Sequence, residues 1–177
     1  MSKALLSSIH SVLSITPARW LAITGSIPGE LLSRPPAPGE WSALECLQHL
    51  LDTERYVFPA RVRLFLTGRD LAAFNPDEEG SSYQKSPAEL AAEFASLRAD
   101  SLKELAIVSQ ADLVLTARHS ELGVVSLGEM LNEWAAHDLM HTVQAERALM
   151  QPFIASSGAW RVYFRDHDVD IQDDSAT

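Results

Sequence analysis

Along most of this chain apolar residues recur at the spacing of one helix face, and the interruptions fall where prolines, glycines and polar runs gather. Leu5, Ile9, Val12 and Leu13 mark a first helix. Thr16-Pro17 then reads as an N-cap with proline at the first helical position, which predicts a break and a restart running to about Ser26, ahead of Pro28-Gly29. Residues 34–41 contain three prolines and a glycine and cannot continue a helix, so they predict an ordered connector. Ser42-Ala43-Leu44-Glu45 is a capping box, with Trp41 placed before it as a hydrophobic staple. The helix it opens should run to about Thr67 and stop at Gly68, with Leu44, Leu47, Leu51, Phe58, Val62 and Phe65 as its apolar stripe. Pro59 inside that stripe predicts a kink, because it cannot donate to the carbonyl of Arg55.

Residues 68–85 lack helical periodicity and are interrupted by Asn75-Pro76 and Gly80, so they predict a long polar connection. Ser86-Pro87-Ala88-Glu89 combines an N-cap, a proline at the first helical position and a capping-box glutamate. It opens a third helix to about Ser109, built on Leu90, Phe94, Leu97, Leu102 and Leu105 and lacking histidine. Residues 110–125 are polar and turn-prone, with Leu113-Val114-Leu115 and Val124-Val125 suited to extended backbone and His119 expected to be exposed. Ser126-Leu127-Gly128-Glu129 is a third capping box, and the fourth helix should continue to about Met150, ahead of Pro152. Gly158 to Phe164 can pack back on the helices, and Asp166 to Thr177 reads as an acidic tail. The pattern as a whole predicts an all-α four-helix bundle with long connecting loops, one domain over residues 1–165 followed by the tail at 166–177.

Composition narrows the function classes. A chain of 177 residues with 46% hydrophobic content can bury a full core without staples. No run of 18 apolar residues occurs and the amino terminus lacks the features of a secretory signal, so a cytoplasmic protein without membrane contact is expected. The single cysteine, Cys46, excludes an internal disulfide. A net charge of −10 repels a phosphate backbone, which argues against nucleic acid as a partner. Arg55, Arg61, Arg63 and Arg69 follow one another along one predicted helix and its end, and read as a solvated face.

The fourth helix carries the candidate chemistry. His137 and His141 lie one turn apart, within or beside the stripe of Leu127, Met130, Leu131, Trp134, Ala145, Ala148 and Leu149, so both imidazoles point inward. Buried imidazoles need partners; a divalent metal ion satisfies them, and so do backbone carbonyls or water. Of His10, His49, His119 and His167, only His49 sits inside another strong helix pattern, and it lies off the middle of its stripe, either facing a neighbouring helix or merely flanking it. A site of His49, His137 and His141 would supply three neutral nitrogens from two helices and leave a coordination position open, which is the catalytic rather than the structural pattern. Such ligands suit zinc, nickel or iron. Asp138 and Glu133 read equally well as acceptors for an imidazole N–H and as surface charges. Cys46, one turn before His49, is better read as a small buried hydrophobe than as a fourth ligand or nucleophile.

Two rival patterns fit less well, the first by residue type and all-helical context, the second by spacing. His137-Asp138-Leu139-Met140-His141 departs from the zinc-protease pattern by placing the shorter aspartate where glutamate is needed. A di-iron bundle needs Glu-x-x-His pairs, whereas Glu45 to His49 and Glu133 to His137 are each four residues apart.

Taken together, residues 36–42 (Pro-Ala-Pro-Gly-Glu-Trp-Ser), Glu45 and His49, Phe74-Asn75-Pro76-Asp77, Gly123 to Leu127, and Trp134 to His141 make the chain resemble the DinB-like (DNA-damage-inducible, YfiT-like) metalloenzymes over nearly its whole length. The resemblance implies a four-helix bundle with a three-histidine metal site whose ligands fall on His49, His137 and His141. It further implies a metal-bound low-molecular-weight thiol attacking a small electrophile, a thiol S-transferase or isomerase chemistry, with a hydrolase that activates water as the related option. The non-enzymatic alternative is a metal-dependent stress or ligand-binding protein, and a homodimer stands among the expected partners.

Overall fold

The first helix of the protein ignores its proline. The structure, a computed structural model, describes residues 3–75 and 84–169. In it α1 runs unbroken over Lys3–Ser26 with Pro17 inside it, where a break and restart were expected. Pro17 has no N–H to give the carbonyl of Leu13. That oxygen instead accepts a hydrogen bond from Nη1 of Arg98 at 2.9 Å, so a tertiary donor replaces the missing helical one. Thr16 does not cap a new helix; its hydroxyl donates back to the Val12 carbonyl at 2.9 Å.

After the short α2 (Gly29–Leu32) and the proline-rich connector, α3 spans Ala43–Asp52. Its capping box forms as expected, with the Ser42 N–H donating to Glu45 at 2.7 Å and the Glu45 N–H donating to the Ser42 hydroxyl at 3.3 Å. The expected kink takes the form of one π-helical turn, Thr53–Val57, before α4 (Phe58–Leu66) opens with Pro59 in its first turn. Widening the ladder ahead of a proline removes the clash that a regular α-turn would suffer. Gly68 then ends the helix at φ 65°, a conformation open to glycine at little cost.

Of the connection, residues 76–83, including Gly80, lie outside the described residues. Its first part is anchored by a parallel bridge between Leu71 and His119. α5 covers Pro87–Leu105 behind the Ser86 and Glu89 capping box. Leu113 and Val114 belong to a short 3₁₀ turn, Asp112–Val114, and are not extended as expected; burial of Leu113 against the core favours the turn. A two-stranded hairpin follows, β1 (Thr116–His119) antiparallel to β2 (Gly123–Ser126), with Thr116 opposite Ser126 and His119 opposite Gly123. α6 is the longest helix, Leu127–Ala155, and carries on through Pro152. A 3₁₀ segment, Gly158–Phe164, packs against it, and Arg161 within that segment forms an ion pair with the buried Asp168. Residues 170–177, most of the expected acidic tail, lie outside the described residues.

α1 packs on α5 and α6, and α3 packs on the same two helices, which closes the bundle. One apolar cluster gathers Leu13, Phe58, Phe65, Leu131 and Trp134; a second gathers Trp20, Leu47, Leu51, Leu90 and Phe94. Arg98 of α5, 1% exposed, joins four elements: besides the Leu13 carbonyl of α1 it donates to Glu54 of the π turn at 2.9 Å and, with both terminal nitrogens, to Asp138 of α6 at 2.6 and 3.1 Å. The rings of Phe94 and Trp134 lie 4.9 and 5.2 Å from its guanidinium carbon.

Because Ser126 caps the helix that carries both inward histidines, its hydroxyl accepting from the Glu129 N–H at 3.2 Å, Ser126→Ala is expected to lower stability by about 1 kcal/mol. A urea unfolding curve with unchanged slope and a lower midpoint is the measurement that checks it.

Candidate metal centre

Packing of α3 on α6 brings His49 to the pair of imidazoles that α6 presents one turn apart. Ring centroids stand 5.0 Å apart for His49 and His137, 4.6 Å for His49 and His141, and 4.5 Å for His137 and His141. One nitrogen from each ring lies within 4.8 Å of the others. Where α3 meets the π turn, Thr53 donates to the carbonyls of both His49 and Leu50 through its backbone N–H and again through its hydroxyl, the latter at 3.1 Å to each. This ties the backbone of His49 in place.

Burial, reinforced by the neighbouring imidazoles, holds His49 down to about 4 and His137 down to about 2, and burial lowers His141 as well. All three are therefore neutral near pH 7, the protonation state that offers lone pairs. Nδ1 of His141 lies 2.9 Å from the amide oxygen of Gln144, which places the proton on Nδ1 and leaves Nε2 free to ligate. Nε2 of His49 and Nε2 of His137 are 2.9 Å apart, while Nδ1 of His137 is buried with no hydrogen-bond partner among the described residues. An unsatisfied buried nitrogen costs about 1–3 kcal/mol, which a coordination bond made by the same ring offsets. In donor type, protonation state and clustering, the three residues fit a divalent ion.

The imidazoles open on a cavity of about 420 Å³. Trp41 stacks on His141 with centroids 5.6 Å apart and planes 21° apart, and tilts against His49 at 4.9 Å. Phe58 meets His137 edge-on at 5.1 Å and is itself stacked on Trp134 at 5.1 Å. These rings restrict water and fix the imidazoles by packing.

The other sequence candidates are placed differently. Asp138 neither accepts from an imidazole nor sits at the surface; it is buried in the ion pair with Arg98. Glu133 is half exposed on the cavity wall, 3.9 Å from Arg61. Cys46 stays outside the cluster, fully buried among Leu47, Leu50 and Leu90, and burial pushes its thiol up to about 12, as a small hydrophobe requires. His10 and His167 are exposed. His119 is the correction: it is only 6% exposed, because strand alternation in the hairpin turns it inward beside Ala117, and it lines the cavity. Arg61 likewise departs from the solvated face assigned to it, with a side chain 12% exposed in the cavity wall, whereas Arg63 and Arg69 are exposed as expected.

No curated protein matches the chain. Among solved structures it is similar to YfiT from Bacillus subtilis, described as a probable metal-dependent hydrolase with an unusual four-helix bundle topology, at a TM-score of 0.73 and 18% sequence identity, over 84% of this chain and 87% of that one. At that identity the likeness establishes the shared fold. The sequence model of the DinB superfamily matches residues 13–145, which includes α3, α5 and all three clustered histidines; the chain is a member of the DinB superfamily.

Proposed function

We propose that the cavity is the active site of a metal-dependent enzyme acting on a small molecule, in which His49, His137 and His141 hold one divalent ion, zinc, nickel or iron. The observation that supports this best is the convergence of three neutral imidazole nitrogens within 4.8 Å at a cavity of about 420 Å³. When bound, such an ion lowers the pKa of a thiol or a water molecule in its open position. The chain supplies the rest: burial keeps the imidazoles unprotonated, Gln144 fixes the tautomer of His141, and Trp41 and Phe58 keep the rings oriented and partly shielded from solvent.

A low-molecular-weight thiol is our preferred nucleophile, making the protein a thiol S-transferase. Attack by a thiolate needs no separate base, and Asp138, the carboxylate next to His137 in the chain, is committed to Arg98. Hydrolysis is the second reading. It is favoured by the description of YfiT and by the presence of Glu133 on the cavity wall, a carboxylate that would serve as the base for water. Among the described residues no helix is long and apolar enough to cross a membrane, and we assign the protein to the cytoplasm as part of the same proposal.

Elemental analysis of untagged protein tests the site. About one equivalent of metal is expected in the wild type and in His10→Ala, which alters an exposed histidine, and a large loss in each of His49→Ala, His137→Ala and His141→Ala. Equal metal content in all of them overturns the assignment. No metal in any, even after reconstitution, turns the reading toward a ligand-binding protein.

A further inference from the structure

Arg61 and His119 share the cavity with the three imidazoles and have no part in holding an ion. Nη2 of Arg61 donates to the Ala72 carbonyl at 3.1 Å and lies 3.2 Å from Nε2 of His119. Nη1 is 3.9 Å from Glu133, too far for a hydrogen bond. The guanidinium is thus held between the connection that follows α4, the hairpin and α6. On its other side, His119 accepts at Nδ1 from the backbone N–H of Glu121 at 3.2 Å and of Leu122 at 3.4 Å. A neutral imidazole that accepts at Nδ1 carries its proton at Nε2. The Arg61 Nη2–H and the His119 Nε2–H therefore face each other as two donors, and neither can accept. Such a pair calls for an acceptor lying against both, and a fixed cation in a shielded wall calls for that acceptor to be anionic.

We propose that Arg61 and His119 form a carboxylate subsite, so that the ligand of this cavity is a small carboxylic acid whose other end reaches His49, His137 and His141. The charge around the site selects the anion. Glu121 and Glu133 also line the cavity, and they oppose a phosphate dianion about twice as strongly as a monoanion. A planar carboxylate also matches the planar guanidinium. Val57, Phe74, Leu122 and Met140 make much of the remaining wall apolar, which suits a short hydrocarbon spacer. Arg61, Val57 and Phe74 are shared with a neighbouring cavity of about 430 Å³, which leaves room for substituents beside the carboxylate. The far end of the ligand rests on the metal reading above; the Arg61 and His119 end rests on the donor geometry alone.

Full-length protein reconstituted with cobalt(II) separates the two. The probes are 3-mercaptopropionate and the neutral 2-mercaptoethanol, followed by thiolate-to-cobalt absorption. The wild type should half-saturate with the acid at about tenfold lower concentration than with the neutral thiol, as one charge-assisted contact provides. In Arg61→Gln the two thiols should differ by no more than about twofold, while the cobalt spectrum before addition matches the wild type and so certifies the fold. A preference retained in Arg61→Gln, or none in the wild type, overturns the subsite. If neither protein binds cobalt, the metal reading fails by itself, and metal-free protein is titrated with butyrate while the backbone amide resonances of Glu121 and Leu122, which donate to His119, are followed. A saturable shift in the wild type that is lost in Arg61→Gln upholds the carboxylate subsite, and no shift removes it.

Discussion

Arg98→Met is expected to destabilise the protein by about 3–5 kcal/mol, among the largest single-residue effects the fold offers. The substitution keeps length and apolar bulk but removes the cation that Asp138 and Glu54 share, leaving two carboxylates buried without a counter-charge. It also strips the Leu13 carbonyl of its donor. Burial already pushes the Glu54 carboxyl above its ordinary value, with Arg98 opposing that rise, so losing the guanidinium drives it further toward the protonated form. Urea unfolding measures the loss. Adding Glu54→Gln and Asp138→Asn to Arg98→Met should recover part of it, because no charge is then left stranded in the interior. A single Arg98→Met mutant within about 0.5 kcal/mol of the wild type would show that the triad contributes nothing beyond ordinary packing.

Metal loading is the second large effect expected. A ligand that binds only the folded chain stabilises it by about 4 kcal/mol at a free concentration a thousand times its Kd. In a chain of this size that raises the melting temperature by on the order of 10 °C. The proposed site exists only when α3 lies on α6, since His49 and His137 are 88 residues apart in sequence. The unfolded chain keeps only the pair from α6, a weak binder by comparison. Differential scanning calorimetry of metal-free protein with and without zinc or nickel is the check. The rise should vanish in the His137→Ala, His141→Ala double mutant. A wild-type melting temperature indifferent to every divalent ion tried would sink the metal reading.

The bundle and its histidines were legible because they follow periodic rules. Three capping boxes announced α3, α5 and α6, and helical spacing turned His137 and His141 inward before any tertiary contact was known. His49 was harder, since it lies at the edge of its stripe, and the family resemblance carried it. Arg98, Glu54 and Asp138 left a signal that went unread: each sits on the apolar face of its helix, Arg98 four residues after Phe94, Glu54 seven after Leu47, Asp138 seven after Leu131. Opposite charges at core positions of three helices point to a buried pair, but no spacing rule says which meets which. His119 was missed for a different reason. Its exposure depends on the register of a four-residue hairpin strand, where a shift of one residue exchanges the inner and outer faces.

The acceptor that Pro17 leaves open in α1 ties secondary structure to tertiary structure. The interior of an ordinary helix is complete as soon as its own turns form. Here the Leu13 carbonyl waits for a donor 85 residues further along, on α5, and that donor must bring Glu54 and Asp138 with it to be neutralised. α1 is thus finished only when α5, the π turn and α6 have all assembled around one guanidinium. A partly built bundle would hold either an unpaired carbonyl or an unpaired ion, so intermediates lacking any one of these elements are disfavoured, and the same link that fills a gap in one helix makes the folding of the whole chain cooperative.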